Sequence, residues 1–399
     1  MSKYVPRGKI MHRNQPPQSQ KFFEQLIAYT QEVAARLKIA WDAKGRRNYT
    51  TWDEGYPTGY GTHFTASNSA VSQRKPLGRI PVLFRRFARR SGSPGVHFIV
   101  WDCLVPQFAD LRAKYPVFEH LKCDVWCWGL DVAFYHGNAL NGFATGTEHR
   151  NLGRLTKRSD GTWGWGRKGV NSYVGREPVK IRDMGYYEPF TRAQIEAEIT
   201  IARWQKDLYG MEPMKFLGHL HVTSNRTDPF PHFPLQLVRD AVFFDDRPLD
   251  QMDWLLSFVD DPDFWKRNDD YIEDLLDTDL DDNQDCEVDV LDLWARKGAK
   301  AVQVEDAIYG SDDKVTDGDV VEAKKALYHL GYYPFAWGPV FTAGSTPEFQ
   351  WALKMFQNRW VKAQGKKVIH LLPATGTLTD ETVDYMNKML AQYDLLPEQ

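Results

Sequence analysis

Residues 190–228 read FTRAQIEAEITIARWQKDLYGMEPMKFLGHLHVTSNRTD. The first half is a helix with a marked beginning. Thr191 stands at the N-cap, Gln194 completes a capping box, and Ile195, Ile199 and Trp204 supply part of an apolar face. The second half gathers His219, His221 and Asp228 in a short polar stretch. Working outward, Gly95–Trp101 (GVHFIVW) reads as a buried strand, Phe22–Leu37 as an amphipathic helix and Arg79–Arg90 as a basic helix. Strands interleaved with helices predict an α/β domain with a central mixed sheet flanked by helices.

A chain of 399 residues is too long for one ordinary core, so two or three domains are expected. Hydrophobic residues at 42% and charged residues at 26% exclude disordered and fibrous classes. The longest apolar run, Val96–Val105, is interrupted by Asp102 and too short to span a bilayer, so no membrane insertion is expected. The opening MSKYVPRGKIMHRNQPPQSQ has no apolar core, which predicts no signal peptide and synthesis in the cytoplasm. Cys103, Cys123, Cys127 and Cys286 include no second pair to complete a zinc knuckle and read as free thiols. The net charge of −3 hides an asymmetry: residues 1–110 hold 17 Lys/Arg against 7 Asp/Glu, and residues 245–289 hold 18 acidic residues against 3 basic ones. A basic half could face an anionic polymer, but nucleic-acid binding through Arg85, Arg86, Arg89 and Arg90 has only charge behind it and is not expected. The carboxylates of 277–285 lack the turn glycine and terminal Glu of a calcium loop.

Chemistry concentrates in the histidines. His63 lies in THFTAS (62–67), and His219, His221, Asp228 and His232 lie in GHLHVTSNRTDPFPHFP (218–234). Two imidazoles and a carboxylate leave a fourth position open on zinc, the layout of a catalytic rather than a structural site. A lone histidine is ordinarily a hydrogen-bonded structural residue, and His97, His149 and His232 are read that way or as rim residues.

Six segments in order carry a resemblance: HFTA (63–66), GVHFIVWD (95–102), FYHGNA (134–139), ATGTEHRN (144–151), FTRAQIEAEITIARWQ (190–205) and GHLHVTSNRTDP (218–229). From about Thr58 to Val242 the chain resembles the zinc-dependent N-acetylmuramoyl-L-alanine amidases, the family of phage lysozyme-type amidases related to peptidoglycan recognition proteins. The resemblance implies a Zn2+ ion held by His63, His219 and Asp228, with Glu148 as catalytic acid/base. Arg226 falls at its cationic position and His136 lines its cleft. His221 competes with His219, since it too precedes Asp228; the glycine of the GH pair favours His219. Two departures stand out. GYGT precedes His63 where the family has an apolar strand, and Arg226 stands where many members have Lys. Arginine can hold an oxyanion but does not give up its proton at neutral pH. The implied reaction is hydrolysis of the amide between N-acetylmuramic acid and L-alanine through zinc-bound hydroxide.

A second resemblance covers about Thr316–Leu390. DGDVVEAKKALYHLGYYP (317–334), STPEFQWALKMFQ (345–357) and TGTLTDETVDYM (375–386) resemble a three-helix peptidoglycan-binding domain. It implies a core of Leu327, Leu330, Ala352, Phe356 and Leu378, with Tyr332, Tyr333 and Gln357 where a glycan or stem peptide lies. The expected organisation is an N-terminal arm and helix at 1–50, an amidase domain at 51–245, an acidic helical linker at 246–310 and a binding domain at 311–399. Bacterial peptidoglycan is the expected partner, in an endolysin-type role in bacteriophage lysis. The alternatives are a virion-associated hydrolase of the same chemistry and a recognition protein without catalysis. Oligomeric state is left open.

Overall fold

The computed structural model describes residues 17–39, 49–65, 80–81, 84–85, 96–130, 133–134, 142–166, 169–181, 184–222, 228–229, 232–243, 247–251, 320, 323–324, 326–327, 330–332, 347–364 and 367–392. Most of the acidic stretch, Cys286 and most of the expected basic helix at 79–90 lie outside these. The chain divides into two compact units: Met1–Pro178 with Tyr186–His219, and Val179–Gly185 with Leu220–Gln399. No helix among the described residues is long and apolar enough to cross a membrane.

The first unit is built on a five-stranded mixed sheet. Helix α1 (Pro17–Arg36) precedes it, and the strands are β1 (Gly59–Phe64), β2 (Phe98–Val100), β3 (Val125–Cys127), β4 (Ala144–His149) and, further along the chain, β9 (Phe216–Gly218). Spatial order is β9-β1-β4-β2-β3, parallel throughout except for the antiparallel β2–β3 pair. The intervening strands β5 (Arg154–Lys157), β6 (Trp163–Trp165), β7 (Asn171–Ser172) and β8 (Gly185–Tyr187) are short and antiparallel, with β8 and β6 pairing on either side of β5 and β7 beyond β6. Helix α2 (Arg192–Tyr209) has the capping box read from the sequence: Thr191 Oγ1 accepts from the Gln194 amide at 2.9 Å, and Gln194 Oε1 accepts from the Thr191 amide at 3.0 Å. It stops at Gly210, whose φ of 65° places it in the left-handed region. Phe22 and Phe23 of α1 pack on Trp204 of α2, with ring centroids 4.5 and 5.9 Å apart. Phe23, Leu26, Ile27 and Val33 are fully buried, each contributing about 1.5–3 kcal/mol of gross transfer free energy.

The segment GYG, read as a departure from an apolar strand, is a strand, and its composition has a physical cause. A Cβ on Gly59 would come within 2.7 Å of the Phe143 ring and 2.9 Å of the Lys215 carbonyl, so no side chain fits there. Tyr60 lies flat on Phe216, centroids 4.9 Å apart and rings 1° from parallel. Beneath the sheet α2 carries a carboxylate, Glu198, that is 0% exposed. A buried charge needs partners, and β1 and β4 supply them. Tyr60 donates its hydroxyl to Glu198 at 2.8 Å, Thr62 at 2.5 Å, and His149 Nε2 lies 3.1 Å away. Thr147 in turn donates to the Tyr60 oxygen at 2.5 Å, and burial raises the Tyr60 pKa well above its usual range. Glu198→Leu is therefore expected to destabilise the protein by about 1–3 kcal/mol for each buried hydroxyl that loses its acceptor. Glu198→Gln should cost less, since the amide oxygen still accepts. Urea denaturation of both variants checks this, and equal losses would show that volume rather than charge is what the site needs.

In the second unit, α3 (Leu235–Phe243) comes first, and α4 (Pro347–Arg359) and α5 (Asp380–Gln392) are joined by a hairpin of β10 (Val361–Gln364) and β11 (Lys367–His370) that the sequence did not announce. The expected core residues Leu327, Leu330, Ala352, Phe356 and Leu378 are all buried. Leu220–Phe243, assigned from sequence to the amidase domain, belongs to this unit.

Candidate metal centre and acid/base group

Three strand ends of the sheet assemble the site. On β1, Tyr60 and Thr62 point to the polar layer under α2, so by strand alternation His63 points to the other face. Parallel pairing sets His63 opposite Glu148 on β4, and residues in register share a face about 4.8 Å apart. His63 is 2% exposed, while Glu148 is half-buried. On the other side of β1, Gly218 of β9 pairs with Thr62, so the next residue, His219, arrives beside His63. The two imidazoles meet edge to face with centroids 4.3 Å apart. His219 opens a single 3-10 turn ending at His221, and the Leu220 amide donates to the Asp228 carbonyl at 3.0 Å. His63, His219 and Asp228 each offer one ligand atom, and these atoms all lie within 4.8 Å of one another. That is inside the roughly 5 Å beyond which two imidazoles cannot share an ion at a Zn–N distance of about 2.1 Å. Two neutral nitrogens and one carboxylate are a donor set that suits zinc, and three ligands leave one position for water or substrate.

Of the two candidate histidines, His219 lies in this donor cluster. His221 is fully buried; its Nε2 donates to the Leu330 carbonyl at 2.8 Å, and its ring meets Tyr332 edge-on at 4.5 Å. Arg150, the obvious ion-pair partner for Glu148, is engaged by Glu188 at 2.5 Å and Asp102 at 3.2 Å. The other histidines fall into structural places. His97 Nδ1 accepts from the Gly146 amide at 2.9 Å and its ring stacks on Trp52. His149 belongs to the Glu198 network, and burial pushes the pKa of His232 down to about 3. Cys103, Cys123 and Cys127 are free thiols, and burial holds the Cys127 pKa up at about 12.

Arg226, His136 and Tyr333 lie outside the described residues. Tyr332 and Gln357, expected at a binding surface, are inside. Tyr332 is 0% exposed and packs on His221 and Phe356. Gln357 is 1% exposed; its amide donates to the Thr377 carbonyl at 2.8 Å and accepts from the Gly376 amide at 2.9 Å. Burial of both removes them from the surface role: they brace the turn and helix packing of the second unit. Two groups went unread in the sequence. Glu198, a charged residue flanked by Ala197 and Ile199 on the helix, was the available signal for the polar layer. Arg359 had none, because its partner is a backbone carbonyl 139 residues away.

No family model matches this chain, and no curated protein matches it. Among solved structures it is similar to AmpDH3 from Pseudomonas aeruginosa, at 15% identity and a TM-score of 0.31 over 89% of this chain and 99% of that one. AmpDH3 in complex with anhydromuramic pentapeptide gives 16% identity and a TM-score of 0.30 over 89% of this chain and 98% of that one. The N-acetylmuramyl-L-alanine amidase AmiD from E. coli, in complex with anhydro-N-acetylmuramic acid-L-Ala-D-gamma-Glu-L-Lys, gives 14% identity and a TM-score of 0.31 over 86% of this chain and 93% of that one. Those TM-scores are too low to transfer activity from those chains to this one.

Proposed function

We propose that this chain is a zinc-dependent N-acetylmuramoyl-L-alanine amidase acting on bacterial peptidoglycan. The observation that carries the reading is the His63–His219–Asp228 donor cluster with Glu148 in register beside His63. A zinc ion held by these three residues supplies Lewis acidity and lowers the pKa of a bound water to about 7. Glu148 takes the proton of the attacking water and returns it to the leaving amine nitrogen, so one carboxylate acts first as base and then as acid. Arg226 holds negative charge growing on the carbonyl oxygen without giving up a proton. The muramoyl–alanine bond itself is named by the ordered motifs that resemble the amidase family, which also motivate the endolysin-type role and wall binding by residues 311–399.

Dialysis against a chelator is expected to abolish release of stem peptide from purified peptidoglycan, and one equivalent of zinc to restore it. Calcium should not substitute, because it prefers six to eight oxygen ligands. Full activity in metal-free protein would overturn the proposal.

A further inference from the structure

We infer that Arg359 is a positioning residue of the catalytic site, holding the backbone of Leu220, the residue that follows His219 and bonds Asp228. The inference rests on the metal reading above.

Leu220 stands directly after His219, and both of its backbone polar groups are engaged. The Leu220 amide donates to the Asp228 carbonyl at 3.0 Å. Its carbonyl accepts from Arg359 Nε at 2.5 Å, and the Tyr332 hydroxyl lies 3.5 Å from the same oxygen. One residue on, the His221 ring donates to the Leu330 carbonyl at 2.8 Å. Arg239 of α3 donates to the Gly331 carbonyl at 2.6 Å. Gly331 has φ of 79°, and a Cβ there would lie 2.8 Å from His221 Nε2, so the backbone approaches the ring as closely as a side-chain-free residue permits. Residues 330–332 and 359 thus grip Leu220 and His221 from several directions.

Arg359 is the decisive member. Its side chain is buried, at 1% exposure, and sits over the Trp360 ring at 4.7 Å. A guanidinium taken out of water needs strong acceptors, and the acceptor here is the carbonyl immediately after His219. A charge-assisted bond at that point fixes the Leu220–His221 peptide plane, and with it the backbone of the residue that follows His219 and whose amide bonds the Asp228 carbonyl. Groups that orient metal ligands in this way typically change metal affinity or activity by about 10–100-fold when removed.

The test uses the full chain with Arg359→Met and Arg359→Lys beside wild type. Zinc affinity is read by competition with a chelating dye, ligand geometry by the visible spectrum of the cobalt-substituted protein, and kcat and KM on a muramoyl peptide. Arg359→Met is expected to bind zinc about 10–100-fold more weakly, to shift the cobalt bands and to lose kcat more than KM. Arg359→Lys, which keeps a donor and a charge, should recover part of each. If Arg359→Met melts earlier but matches wild type in affinity, spectrum and kcat, the residue is a packing element and the inference is overturned. If Arg359→Met does not fold, Arg359→Lys decides: a compact ammonium cannot reproduce the planar fork, so a shifted spectrum supports the role and an unchanged one overturns it. A wild type that neither binds zinc nor hydrolyses overturns the proposed function, and this inference with it. An active wild type matched by both variants overturns this inference alone.

Discussion

Glu148→Gln is expected to lower turnover by about 10²–10⁴-fold, the usual contribution of a positioned acid/base. Fold and metal content should stay intact. The substitution keeps the size of the side chain and one acceptor oxygen but removes the group that can take a proton. Its position makes the test clean. Glu148 sits mid-sheet, paired with His63 on one side and Ile99 on the other, so backbone pairing rather than the side chain holds its place. Arg150, the nearest arginine in sequence, is buried against Glu188 and Asp102. A structural role predicts a lower melting temperature with turnover preserved; the catalytic role predicts the reverse. Rate, melting curve and zinc content measured on one preparation separate them, and a loss below roughly tenfold removes Glu148 from the mechanism.

His219→Ala and His221→Ala, two residues apart, should fail in opposite ways. Removing His219 takes one nitrogen from a three-residue donor set. Zinc affinity should fall by more than the roughly 10–100-fold that a supporting residue costs, and activity should drop to background. His219 is only half-buried, so stability should change little. Removing His221 leaves the donor set whole but strips a fully buried ring from Tyr332 and orphans the Leu330 carbonyl. An unsatisfied buried acceptor costs about 1–3 kcal/mol, and the vacated volume adds to it. The expected result is a less stable protein that still binds zinc. Zinc retained by His219→Ala and lost by His221→Ala would reverse the ligand assignment.

The legible parts of this chain were those whose signals are local. Thr191, Gln194 and the apolar spacing behind them read α2 as Thr191–Leu208, one residue from each of its observed ends. Strand β1 was hard to read because its constraints are tertiary: Gly59 is dictated by Phe143 and Lys215, and Tyr60 and Thr62 by Glu198 on a helix 136 residues away. The antiparallel strands β5–β8 are two to four residues long, too short for a period of two to rise above composition. Tyr332 and Gln357 were placed at a surface by the resemblance to a binding domain; neither residue type records whether it faces inward.

Leu220–Phe243 folding with the C-terminal region bears on how such a chain can be recombined. A splice anywhere in 246–310, where composition invites one, would part Arg239 from Gly331 and His221 from Leu330. The foreign module grafted on would have to supply a carbonyl for each, and a backbone able to pass where Gly331 passes. The natural cassette for exchange therefore starts immediately after His219, inside the sequence that reads as catalytic. Residues 220–243 and 330–359 would then have to be exchanged together, as one block.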